Sequence, residues 1–326
     1  MRRRRATAAL ALLLGLVAAD GLRAQSGIAK EGAVFLLVPV GARAIAQAQA
    51  AAGTRLGAEG IWWNPASLAW NTRREASVDH AANAFITGDA LSAVVPVGRA
   101  GVLAASFLYF NFGEQAATDE FGSTIGTLYA RATVLASSYS ATFGDRVSAG
   151  VTHKLVRQTQ SCSGACQNSL TFSVSTSAFD LGAQAVVDRA RHLTLGATIR
   201  NFGFGLQTID REQTDPLPTR LHLGATYTVG QLARRVPGMA LDVAAEVVAL
   251  TSFAEPALRL GGEARFSDRV SIRGGILTRS ADESTAAIGF GLRQGTLGLD
   301  FARSFGGTSS DAGSSPTYVT LRVGFR

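Results

Sequence analysis

The final stretch of this chain, Pro316 to Arg326, most narrows what it can fold into. It reads Pro-Thr-Tyr-Val-Thr-Leu-Arg-Val-Gly-Phe-Arg. Val319, Leu321, Val323 and Phe325 fall on one face of an extended strand. Tyr318, Thr320, Arg322, Gly324 and Arg326 fall on the other. A period of two marks a strand with one apolar face. A soluble protein rarely ends in a long strand of this kind. A transmembrane β-barrel often does, because its last strand closes against its first.

Composition agrees with many strands of small residues. Charged residues make up 17% and glycines number 36 in 326 residues. That is low charge and high glycine for a globular domain, and too apolar for a disordered chain. The N-terminus reads as a secretory signal. Arg2 to Arg5 form the basic region, Ala8 to Ala19 the apolar one, and Leu22-Arg23-Ala24 the cleavage site. Twelve apolar residues are too few to span a bilayer, and no cysteine follows to make a lipoprotein. Residues 1–24 carry a net charge of four, so the formal +7 becomes +3 for the mature chain. The basic balance is therefore no argument for a nucleic-acid partner.

From Glu75 onward the sequence reads as repeated strands: 75–82, 88–97, 100–111, 129–143, 146–158, 172–187, 191–202, 219–229, 238–249, 256–267, 269–279, 284–294, 295–304 and 316–326. Fourteen is an even number, as bacterial outer-membrane barrels require. Alternation is cleanest late in the chain. Leu221, Leu223, Ala225 and Tyr227 oppose Arg220, His222, Gly224 and Thr226. The connections alternate too. Short ones fall at 98–101, 144–145, 188–190, 267–268 and 294–295, longer ones at 112–128, 159–171, 203–218 and 305–315. A barrel with short periplasmic turns and long outer loops predicts this alternation, whereas a soluble sandwich does not.

Gly32 to Trp70 is different in kind. An apolar run at 33–40 precedes an Ala/Gln-rich piece at 42–52, and then comes Trp62-Trp63-Asn64-Pro65. Asn64 can cap a short helix at 65–70 with Pro65 at its first position. The runs Phe35-Leu36-Leu37-Val38-Pro39-Val40-Gly41-Ala42-Arg43-Ala44 and Trp63-Asn64-Pro65-Ala66-Ser67-Leu68-Ala69 resemble the N-terminal signature of the PorV/PorQ family. Those barrels are related to the FadL-type transporters. Gln47 and Ala48 depart from the Met-Gly pattern common in the family. The resemblance implies a 14-stranded barrel whose N-terminal segment folds inside the lumen. It also implies either uptake of hydrophobic molecules or an accessory role in type IX-like protein secretion.

Few residues suggest further chemistry. Cys162 and Cys166 sit in one predicted loop. A disulfide staple is favoured there, with a metal site or free thiols as the alternatives. The four histidines lie on separate strands without ligand spacing, and no hydrolase or phosphate-loop motif occurs. Polar-face charges Arg200, Arg220, Asp242, Glu246, Arg259, Glu263, Arg265, Arg273, Arg293, Asp300 and Arg322 are expected in the lumen, paired across it. Phe107, Tyr109, Phe110 and Phe112 fit an interfacial girdle, or else a ligand entrance.

The expected protein is all-β: a transmembrane antiparallel barrel of about 14 strands in the bacterial outer membrane. Residues 1–24 are the signal peptide, 25–74 a plug inside the lumen, and 75–326 the barrel. The plug motif is Gly41, Arg43, Trp63, Asn64 and Pro65. No cofactor, metal or catalytic residue is expected. Expected partners are outer-membrane lipid, barrel-assembly machinery reading the C-terminal strand, and hydrophobic small molecules or secreted proteins. An outer-membrane enzyme is the weakest alternative.

Overall fold

The computed structural model describes residues 31–166, 171–190, 192–207, 214–230, 236–249, 256–280, 283–307 and 313–325. The expected signal peptide lies outside the described residues. The wall is built from β1 (Arg74–Ala82), β2 (Thr87–Pro96), β3 (Val102–Thr118), β4 (Thr124–Phe143), β5 (Val147–Gly164), β6 (Phe172–Val186) and β7 (Leu193–Gly203). It continues through β8 (Arg220–Thr228), β9 (Met239–Ala249), β10 (Ala257–Phe266), β11 (Val270–Ser280), β12 (Glu283–Gln294), β13 (Leu297–Phe305) and β14 (Thr317–Phe325). Each strand pairs with its sequence neighbours, and β1 pairs antiparallel with β14 to close the barrel. Closure leaves no unpaired sheet edge within the ring, the condition for strands to cross hydrocarbon.

The two faces separate by residue type. Leu91, Leu135, Leu223, Val247, Ile276 and Leu321 point outward and are exposed. Such a continuous apolar exterior is far larger than the few hundred Å² a soluble monomer tolerates. Among the described residues, no helix is long and apolar enough to cross a membrane. The strands do the crossing, and the fold is that of an outer-membrane barrel.

Three strands are longer than the sequence pattern indicates. The expected loop at 112–128 is strand over most of its length. β3 continues to Thr118 and β4 begins at Thr124, with a register shift between Asn111 and Glu114. Asp119 closes the tip by accepting the N–H groups of Phe121 and Ser123 at 3.0 and 2.8 Å. The expected loop at 159–171 likewise contains the end of β5, which pairs with β4 as far as Gly164. Above the lipid band both strand faces meet water, so apolar–polar alternation disappears while backbone pairing persists. At the opposite rim the connections are tight. Between β6 and β7, backbone N–H groups of Leu193 and His192 hold the Asp188 carboxyl below the usual range.

Residues 31–73 lie inside the ring. They form short helical turns at Val34–Leu37, Ala42–Ala46, Gly57–Glu59, Gly60–Trp63 and Pro65–Trp70. Most of these residues are buried. Their seat on the wall is a set of lumen-facing glycines. A Cβ on Gly196 would overlap the carbonyl of Ala52, and one on Gly182 the side-chain oxygen of Asn64. A Cβ on Gly150 would come within 2.6 Å of the Pro65 backbone, and one on Gly275 within 2.7 Å of Gln47. Wall and segment thus meet backbone to backbone, with no layer of side chains between them.

Candidate functional site

The lumen has two chemically different halves. The inner faces of β2 to β6 are mainly apolar or small, apart from one buried ion pair, Lys154 with Asp180 at 2.6 Å. Ala90, Val94, Val102, Ala104, Leu108, Phe110, Ala132, Val134, Ala136, Val156 and Ala178 form one buried cluster with Phe35, Leu36, Ile61, Trp62, Trp63 and Leu68 of the inner segment. Phe35 packs edge-on against Phe110 and Phe112, with ring centroids 6.2 and 6.3 Å apart. The girdle expectation therefore fails for Phe110 and Phe112, which point inward, whereas Phe107 points outward. Strand parity decides it: 110 and 112 share the lumen face with 108, and 107 does not.

The far half, β8 to β14, carries charge. Glu263 is the centre of one network. It receives Arg43 at 2.8 Å, Arg273 at 2.7 Å and Arg265 at 3.0 Å. Arg273 also reaches Asp300 at 2.6 Å, Arg322 pairs with Asp300, and Arg265 reaches Asp242 at 2.8 Å. Glu246 is the centre of a second network. One of its oxygens accepts the N–H groups of Ala51 and Ala52, both at 2.7 Å. The other meets Arg259 at 2.9 Å and His222 at 2.8 Å. Buried charge is costly unless paired and hydrogen-bonded, and here the acids also grip the inner segment. Arg220 is paired with Glu31 at 2.7 Å, across 189 positions of sequence. Arg293 is the exception among the expected lumen charges: it is exposed at the end of β12, beside the short turn.

Each residue of the expected plug motif has a definite contact. Gly41 has φ of +90° and lies against the Glu59 carboxyl, which leaves no room for a Cβ. Arg43 reaches Glu263, as above. Trp63 donates its ring N–H to the Val40 carbonyl at 2.8 Å. Asn64 donates to the Ala52 carbonyl at 2.7 Å and accepts from Ala66 N–H at 3.0 Å, capping the turn that Pro65 begins. Asn64→Ala removes both a cap and a buried donor. We expect a loss of about 1–3 kcal/mol, read as a lower unfolding temperature of the reconstituted barrel. An unchanged temperature would show that water replaces these contacts at no cost. The Cys162 and Cys166 sulfurs meet at the end of β5, with Cα atoms 5.8 Å apart, where a disulfide closes.

Three cavities flank the inner segment on the charged side, the smallest, about 180 Å³, among Ile45, Ala48, Gln49, Thr285 and Tyr318. One of about 250 Å³ lies among Arg43, Glu263, Arg273, Arg293 and Arg322. The largest of the three, about 510 Å³, opens at the opposite end among Leu37, Pro39, Arg200, His222, Arg259 and Leu277. A broader concavity of about 910 Å³ lies along the short-turn rim from Ser267 to Val270 and from Leu292 to Leu299, away from the inner segment. Among the described residues, no three His, Cys, Asp or Glu side chains gather as a metal-ion site.

No protein-family model and no curated protein matches this chain. Solved structures do. The CymD monoaromatic hydrocarbon channel aligns over 88% of this chain and 97% of its own, with TM-score 0.59 and 13% identity. The Ralstonia pickettii toluene transporter TbuX covers 88% and 98%, with TM-score 0.59 and 13% identity. A Pseudomonas aeruginosa FadL homologue covers 88% and 98%, with TM-score 0.54 and 14% identity. The chain has the FadL-type barrel fold. At these identities the likeness speaks for architecture, and function has to be argued from the lumen.

Proposed function

We propose that this protein is an outer-membrane barrel that binds hydrophobic small molecules and moves them inward, with residues 31–73 as its plug. The observation that carries this reading is the apolar half of the lumen. A general porin has a polar, water-filled interior. Here a band of Ala, Val, Leu and Phe side chains runs along β2 to β6 and meets Phe35, Trp62 and Trp63 of the inner segment. This band is packed against the segment, so it can take up an apolar solute only when the segment moves off it. Passage requires the segment to shift, or the wall to open sideways. The solved structures of like fold include proteins named as hydrocarbon channels and toluene transporters, which agrees with this reading.

The test is uptake of labelled toluene by lipopolysaccharide-coated cells that express the barrel, with ion conductance of the purified protein in planar bilayers beside it. Faster toluene entry with near-zero conductance is expected. Large steady conductance without faster toluene entry would overturn the proposal. A second reading, a docking barrel for secreted proteins of the PorV kind, is favoured by one observation. Phe85, Phe121 and Phe204 stand on the outer connections, exposed by 52%, 85% and 71%. Solvent-facing aromatics of this size suit a protein partner. Replacing all three by serine should leave toluene entry unchanged under the transport reading.

A further inference from the structure

The 510 Å³ chamber has an unusual charge balance. Its charged lining is Arg200, Arg220, Arg259, Arg279 and His222, and among the described residues no carboxylate lines it. Arg220 is matched by Glu31 and Arg259 by Glu246. The neighbouring Asp180 is taken by Lys154, at 2.6 Å, and by the N–H of Asn201. Arg200 therefore has neither an ion pair nor a side-chain hydrogen bond among the described residues. It is only 8% exposed, and its Nε is a buried donor without a partner. It also stands directly opposite Arg220 across β7 and β8. Like charges in opposite register are unfavourable, and an unpaired buried guanidinium more so.

What holds Arg200 in place comes from the inner segment. Its guanidinium lies 5.0 Å from the Trp63 ring centre, within cation–π range. Trp63 is in turn fixed by its bond to Val40. A cation held in a set position, facing a cavity that no described acid lines, is a prepared anion site. The rest of the lining includes Leu37, Pro39, Val248 and Leu277, which are apolar. The volume, about 510 Å³, is ample for a ring-sized body.

We propose that this chamber binds a compact organic anion: one carboxylate on Arg200, with a small apolar or aromatic body against Leu37, Pro39 and Leu277. The inference rests on the uptake reading and sharpens it, because it makes Arg200 the residue that selects anionic over neutral compounds. A planar carboxylate fits the fork of a guanidinium in two-point contact.

The experiment is titration of the purified full-length barrel in detergent micelles with sodium benzoate, toluene and sodium sulfate, read by tryptophan fluorescence and calorimetry. Benzoate should bind more tightly than toluene, and sulfate should compete poorly. Arg200→Gln should weaken benzoate roughly ten- to a hundredfold and leave toluene unchanged. Arg200→Lys should recover part of the loss, and Arg293→Gln, at the far rim, should have no effect. Equal binding of benzoate and toluene by the wild-type protein overturns the inference while sparing the uptake reading. Sulfate competing as well as benzoate overturns it too, since the site would then hold any oxyanion. Binding of none of the three overturns the inference and the uptake reading together. The wild-type comparison stands even if a variant fails to fold.

Discussion

Gly196→Val is expected to unseat the inner segment while the wall stays closed. The position lies mid-strand in β7, where valine suits the backbone well. Its Cβ, however, would occupy the space of the Ala52 carbonyl. Ala52 cannot simply retreat. Its N–H is held by Glu246 at 2.7 Å, and its carbonyl accepts from Asn64 at 2.7 Å and from Gln184 at 2.9 Å. Overpacking of about 1–3 kcal/mol would lower the ratio of docked to undocked segment roughly 5- to 150-fold. The measurements are protease cleavage within residues 31–73 and ion conductance in a planar bilayer, both of which should rise. A variant with unchanged conductance and an uncut segment would show that the wall, not the plug, yields to the added methyls.

Glu246→Ala should cost more. This one carboxylate satisfies two backbone N–H groups of the inner segment and also meets Arg259 and His222. Removing it strands a buried guanidinium, a change that typically costs about 3–5 kcal/mol. The double variant Glu246→Leu with Arg259→Leu removes both members of the pair and should regain much of that loss, though not the grip on Ala51 and Ala52. Unfolding temperature of the reconstituted barrel separates the two. If the single variant is as stable as wild type, the ion pair is not what fixes the segment. If the double variant is as unstable as the single one, the amide contacts dominate instead of the stranded charge.

Much of the wall can be read from the chain because lipid and lumen impose opposite demands on successive residues. Leu221, Leu223 and Tyr227 could be placed on one face without any partner being known. The same logic fails where that contrast is absent. The upper parts of β3 to β5 have water on both sides, so Glu114 and Gln115 look like loop although they pair with Tyr129 and Leu128. It also fails for contacts distant in sequence. Nothing local links Glu31 to Arg220, or Glu246 to the amides of residues 51 and 52. Gly150, Gly182 and Gly196 read as unremarkable strand glycines until the inner segment is laid against them. The aromatic group at 107–112 was divisible by parity alone. Treating it as one girdle overlooked the two rings that line the lumen.

The long strands give the molecule an uneven skyline. β4 has 20 residues. At about 3.3 Å per residue and a tilt near 45°, it rises roughly 47 Å, against an apolar band of about 25 Å. β3 and β5 rise with it, so among the described strands these stand some 20 Å above the apolar band, by the same arithmetic. β7 to β11, which frame the arginine-lined chamber, have 9 to 11 residues each and end near the lipid surface. On the proposed uptake reading, the described strands alone would present a tall side to a bulky particle and a low side, by the chamber, to a small solute.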